Sequence, residues 1–192
     1  MTAAEREEEI AGLYLVHYCH RSCIPLKNIM RLPRQQAFAL ARQMAQENKE
    51  TTAFYCFADF ENYYPRRLET DRLLYSQFIK LGGKPKEEHP LSFVLQGSEY
   101  LDNWFDNGLV TRPLHKIAKG QLSFTYGDSM SNPAKAGLLM LIRDMLVKVI
   151  LTDAGMAEEF ILKANRQYGY IEAQLWGISA GRRRTPSAHA DT

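Results

Sequence analysis

Several things are scarce in this chain of 192 residues, and each shortage excludes a class of protein. Cysteine occurs three times, as Cys19, Cys23 and Cys56, and Cys56 lies in the apolar run AFYCF. An odd, small number of cysteines does not make a disulfide scaffold. The expectation is a reducing, cytoplasmic setting in which buried thiols pack as small hydrophobes. The longest uncharged stretch, residues 10–20, has eleven residues, against about 20 needed to span a bilayer. No membrane segment is therefore expected. Glu5, Arg6, Glu7, Glu8 and Glu9 precede that stretch where a secretory leader would carry bases. With 12 glycines and 8 prolines the chain is not collagen-like or of low complexity. Net charge is scarce as well. The +2 total belongs to Arg182, Arg183 and Arg184, and setting these and Asp191 aside leaves 21 bases and 21 acids in residues 1–180. A neutral body argues against a phosphate-backbone partner, so nucleic acid is not expected.

What is present is a core-forming composition, 45% hydrophobic and 11% aromatic, in a length suited to one domain. Residues 1–10 read as a polar lead-in or short helix, 11–180 as a single globular domain and 181–192 as a disordered basic tail. Within the domain the hydrophobic period switches between two and 3.6. Strands are expected at 13–19, 52–57, 91–96, 109–112, 121–126 and 170–176. Helices are expected from Pro33 through Ala45, from about Thr70 to Gly82-Gly83, after a Ser98 cap to Asn107-Gly108, over 134–151 as the longest, and from Asp153 to Gly169. DFENYYPRR reads as a turn between the second strand and the second helix. Helices and strands intermix without regular βαβ alternation, which gives α+β or irregular α/β: one mixed sheet with several packed helices.

Three constellations could carry chemistry. HYCHRSC places His17, Cys19, His20 and Cys23, all zinc-ligand types, in one window. Strand geometry puts His17 and Cys19 on one face and His20 on the other, so packed sheet residues are the simpler reading and no metal is expected. The second, YGDSMS at 126–131, resembles the Gly-Asp-Ser block of the GDSL (SGNH) esterase family, which implies Ser129 as nucleophile. That family's Asp-x-x-His pair is missing, since the histidine after Ser129 is His189. A turn built by Gly127, Asp128 and Ser129 fits the same residues. The third is the strand YIEAQLW, whose alternation sets Ile171, Ala173 and Leu175 on one face and Tyr170, Glu172, Gln174 and Trp176 on the other.

A Glu on a late strand, His17 on an early one, and Ser123 with Thr125 on a middle strand resemble the order of His, Ser/Tyr and Glu in ADP-ribosyltransferases. The resemblance implies that His17 and the hydroxyls hold an NAD ribose and nicotinamide while Glu172 stabilises an oxocarbenium charge. HYC, GGKPKEEHPLSFVLQGS, SFTYGDSM and YIEAQLW together also resemble a bacterial family that brings no activity with it. The sequence reading is thus a cleft with His17, Ser123, Thr125 and Glu172 as catalytic candidates and Asp128, Gln174, Tyr170 and Trp176 as ligand-binding ones. It would take a nucleotide-like or other small polar ligand, with no resident cofactor. The alternatives are a non-catalytic interaction protein, pairing through 138–150 as a homodimer or through Trp104 and Phe105, and a serine esterase. The basic tail and NYYPRR read as a solubilising end and a loop anchor.

Overall fold

The computed structural model describes residues 3–105, 110–153 and 156–177. In chain order the elements are α1 (Ala3–Ala11), β1 (Tyr14–His17), α2 (Arg34–Glu47), α3 (Tyr55–Ala58), α4 (Phe60–Lys80), β2 (Leu91–Leu95), α5 (Glu99–Asp102), β3 (Val110–Pro113), β4 (Leu122–Tyr126), α6 (Pro133–Leu138), β5 (Leu141–Ile142), α7 (Arg143–Asp153), α8 (Ala157–Tyr168) and β6 (Ile171–Leu175). Among the described residues six strands form one sheet in the order β3-β1-β2-β6-β4-β5, antiparallel at every pairing. Helices cover it, and the fold is α+β. No helix of the described residues is long and apolar enough to cross a membrane.

Alternation along each strand gives the sheet two unlike faces. On one, Leu15, Phe93, Leu95, Phe124, Ile171, Ala173 and Leu175 bury against Leu146 and Ile150 of α7 and Phe160, Ile161 and Ala164 of α8. The other face is largely polar. Register places Val94, Glu172 and Thr125 in one row across β2, β6 and β4, and Ser92, Gln174 and Ser123 in the next. Over this face lies α4, whose Leu74 and Phe78 enclose Trp176 with Met140; the Phe78 and Trp176 rings stack at 5.7 Å.

Two stretches depart from the expected elements, for identifiable reasons. Residues 52–57 form a 3-10 turn and a short helix instead of a strand. Thr51 caps that turn, its Oγ1 accepting from the Ala53 N–H at 3.2 Å. The aromatics that follow, Phe57 of α3 and Phe60 and Tyr64 of α4, recur at three and four residues and turn to one side. They meet Ala37, Ala41 and Phe38 of α2 in a separate core. DFENYYPRR is accordingly not a turn: Asp59 precedes α4, which begins at Phe60 and runs 21 residues through Pro65. Pro65 removes one helical N–H donor, a loss of about 3 kcal/mol in a helix interior, but it sits exposed near the first turns. Tertiary contacts further along carry the helix past it.

The long helix expected over 134–151 is broken into α6, β5 and α7. Residues 141–142 pair with Phe124 and Ser123 at the sheet edge, which releases the strand's backbone groups from needing another partner. Gly137 brings α6 onto α4 so closely that an added Cβ would overlap the Leu73 side chain. The wide apolar pattern of this stretch serves both layers: Met140 belongs to the core under α4, Leu146 and Ile150 to the one under α7 and α8. Two of the remaining helices stop where expected, α4 with Gly82 at φ +90° and α8 with Gly169 at φ +84°, whereas α5 ends at Asp102, short of the expected Asn107-Gly108. Asn107, Gly108 and Leu109, named above for the end of the short helix and the start of β3, lie outside the described residues, as does the 181–192 tail.

Candidate functional site

The polar face is stitched by side chains. Trp176 Nε1–H donates to Ser123 Oγ at 2.8 Å, Ser123 O–H donates to Gln174 Oε1 at 2.8 Å, and Gln174 Nε2 donates to Thr125 Oγ1 at 2.7 Å. All four residues are buried. Four candidate residues are thus brought together, but their polar atoms answer one another, as buried polar groups must.

The neighbouring row differs. Glu172, 5% exposed, accepts from the Ser92 hydroxyl through Oε1 at 2.9 Å and from the Ser129 N–H through Oε2 at 2.9 Å. Ser129 belongs to the turn that leaves β4. Gly127 takes φ +74°, in the region that favours glycine. Asp128 closes the turn with both carboxylate oxygens, Oδ1 accepting from Met130 N–H and Oδ2 from the Ser131 hydroxyl, each at 2.9 Å. The turn reading of GDSMS therefore describes its geometry. Ser129 Oγ, however, is fully buried and has no hydrogen-bond partner among the described residues.

From above, α4 contributes Arg67 and Asp71. Asp71 is wholly buried, with Oδ1 2.9 Å from Arg67 Nε and Oδ2 2.7 Å from His89 Nδ1. Oδ1 faces the guanidinium off the line of a hydrogen bond, an ion pair held by charge. Burial opposes the charge on Arg67, but Asp71, with lesser help from Tyr63, Glu172 and Asp128, outweighs it and keeps the guanidinium firmly protonated. Tyr170 stands where β6 begins. Burial, then the charges of Asp128 and Glu172, push its phenol well above the ordinary range.

His17 is not part of this cluster. Alternation in β1 places it with Leu13 and Leu15, on the face opposite Glu172, and its ring lies 5.2 Å from Phe93. Its Nδ1 is 2.8 Å from the Ser92 carbonyl and its Nε2 accepts from the Leu26 N–H at 3.1 Å. That pattern fits a neutral ring with Nδ1 protonated and both nitrogens occupied, and burial lowers its pKa. A ligand on Glu172 is out of its reach.

The HYCHRSC window does not converge either. His20 packs edge-on against Phe54 and its Nδ1 accepts from the Ser22 N–H. Cys19 and Cys23 are half-buried free thiols; burial pushes Cys19 up to about 11 and raises Cys23 as well, away from the thiolate that binds metals. Among the described residues no group of three His, Cys, Asp or Glu is placed to hold a metal ion.

No protein-family model, curated protein or solved structure matches the chain.

The residues around Glu172 that sequence reasoning missed are Ser92, Tyr63, Arg67, Asp71 and His89. Their signal was available: Phe60, Tyr63, Arg67, Asp71, Leu74 and Phe78 fall at helical spacing, so two opposite charges interrupt an otherwise apolar stripe. An ion pair in a core-facing stripe marks a polar surface beneath it.

Proposed function

We propose that this protein binds a small polar ligand at the end of the sheet where β4 leaves and β6 enters. The ligand lies over Asp128, Ser129, Tyr170 and Glu172, with Arg67 of α4 alongside. The observation that carries this reading is Ser129 Oγ. Leaving a buried hydroxyl unpaired costs about 1–3 kcal/mol, and here it belongs to the residue whose backbone N–H donates to the Glu172 carboxylate, itself 5% exposed. Asp128 and Tyr55, both exposed, and the half-buried Tyr170 form the solvent side of the cluster. The Ser123, Gln174, Thr125 and Trp176 chain is the rigid floor that holds β4 and β6 in place beneath it. Catalysis by an ADP-ribosyltransferase-like set is not part of this proposal, because His17 lies across the sheet and the two strand hydroxyls are engaged.

The test is a thermal-shift panel of nucleotides including NAD, sugars, amino acids and amines, run on the wild type and on Asp128→Asn. A ligand at about 100 times its Kd stabilises by roughly 2.7 kcal/mol. At least one chemical class should produce a saturable shift that Asp128→Asn reduces. A panel without any shift on the wild type overturns the reading.

A second reading, a protein-interaction role, has one observation in its favour: Leu138 of α6 is 80% exposed, with Leu139 and Leu73 also exposed. Sedimentation of the full chain and of Leu138→Glu tests it.

A further inference from the structure

The charges and acceptors around this site narrow what it can hold; the inference rests on the ligand site proposed above. Asp71, Asp128 and Glu172 all act on one buried guanidinium, that of Arg67. Asp71 already takes Arg67 Nε at 2.9 Å, and Asp128 and Glu172 form no salt bridge with a cation among the described residues. Arg66, on the exposed side of α4, acts on Cys56, where Asp128 and Asp59 act in the opposite sense. Asp128 and Glu172 also act on Tyr170, with lesser contributions from Tyr100 and Tyr55.

Hydrogen-bond capacity is lopsided in the same direction. A carboxylate offers about four acceptor sites. Glu172 uses one per oxygen, for Ser92 and Ser129. Ser129 Oγ adds two lone pairs, and one O–H, that no described residue uses. In the turn, Asp128 accepts once at each oxygen and keeps the rest of its capacity toward solvent. The site therefore has acceptors and negative charge to offer, and aromatic rings beside them. A phosphate or carboxylate would bring more of both.

We infer that the ligand carries a primary ammonium group. Its N–H donors divide between the Glu172 carboxylate and Ser129 Oγ, Asp128 offsets its charge, and the carbon next to the nitrogen rests against the Tyr170 ring, where a cation is favoured. Potassium shares the charge without the directed hydrogen bonds, and tetramethylammonium has the charge and no N–H at all.

The full chain is titrated at constant ionic strength with n-butylammonium, tetramethylammonium, potassium, butyrate and n-butanol, followed by melting temperature and by amide chemical shifts of residues 127–131. Concentrations reach about the millimolar range and above, as fragments of this size require. Butylammonium is expected to bind saturably, and Asp128→Asn to weaken it about tenfold or more. Ser129→Ala should weaken it while keeping the fold, which covers the case in which Glu172→Gln does not fold. Tetramethylammonium, butyrate and butanol should leave the amide shifts unmoved. Equal binding of potassium or tetramethylammonium overturns the ammonium assignment, as does butylammonium binding indifferent to both variants. If a non-amine from the broader panel binds and Asp128→Asn removes it, the ligand site stands and only its class falls. Silence from every compound in both experiments removes the site itself.

Discussion

His17 and Glu172 are joined through one residue. The Ser92 carbonyl accepts from His17 Nδ1–H at 2.8 Å, and the Ser92 hydroxyl donates to Glu172 Oε1 at 2.9 Å on the far face of the sheet. The two side chains that most resembled partners in a catalytic set are thus held apart by the strand they share.

The consequence for His17 is a pH dependence of defined sign. Burial lowers its folded pKa below 6.5, so as pH falls the unfolded chain takes up the proton first. Its contribution to stability is complete above about pH 6.5 and is lost as pH falls from there toward the depressed value, by up to about 1.4 kcal/mol per pH unit. Urea unfolding between pH 8 and 5 should show this loss in the wild type and a shallower one in His17→Gln. Parallel slopes would contradict it.

Ser123 links two strands through its hydroxyl. Ser123→Ala strands Trp176 Nε1–H and Gln174 Oε1 in a dry interior, at about 1–3 kcal/mol for each group. The expected loss is about 2–4 kcal/mol in urea unfolding, with a changed near-ultraviolet signal from Trp176. A loss below about 0.5 kcal/mol would show that the chain contributes nothing to stability.

Arg67 and Asp71 form a buried pair whose halves depend on each other. Arg67→Leu alone leaves the Asp71 carboxylate with only His89, and a loss of about 3–5 kcal/mol is expected. The double replacement with Asp71→Leu should recover most of it, since well-packed apolar residues often match a buried ion pair. A double-mutant cycle reads the coupling; additivity would mean that the two charges are screened from one another.

Leu146 and Leu138 come from one apolar stretch and should behave oppositely. Leu146 is fully buried, so Leu146→Ala is expected to lose about 2–5 kcal/mol. Leu138→Ala should stay within about 0.5 kcal/mol. If Leu138 serves an interface, Leu138→Glu lowers the sedimenting mass without lowering monomer stability.

Much of the fold is legible in local patterns. LSFVL reads as a strand because it is a short continuous apolar run, LSFTY and YIEAQL because alternation and β-branched or aromatic content agree, and α2 and α8 follow from their 3.6-residue period. Alternation also sets Glu172 and Gln174 opposite Ile171 and Ala173, as found. The same rule, applied to LYLVHYC, puts His17 with Leu13 and Leu15; a functional pattern borrowed from strand order hid that. Which hydroxyl meets Glu172 depends on register between β2, β6 and β4, a non-local matter. The α4 residues were obscured because Pro65 and a dense aromatic run read as a turn, whereas packing against α2 and the sheet overrides both local signals.

The polar face also settles a choice that hydrophobicity leaves open. Sliding β6 by two residues past β4 would keep every apolar side chain on the α7 and α8 side, so greasy contacts alone hardly distinguish the two alignments. Such a shift would, however, separate Trp176 from Ser123 and Gln174 from Thr125, and would carry Glu172 away from the Ser129 N–H. The buried hydrogen bonds therefore act as a vernier, admitting one alignment of the central strands and fixing where the carboxylate ends up.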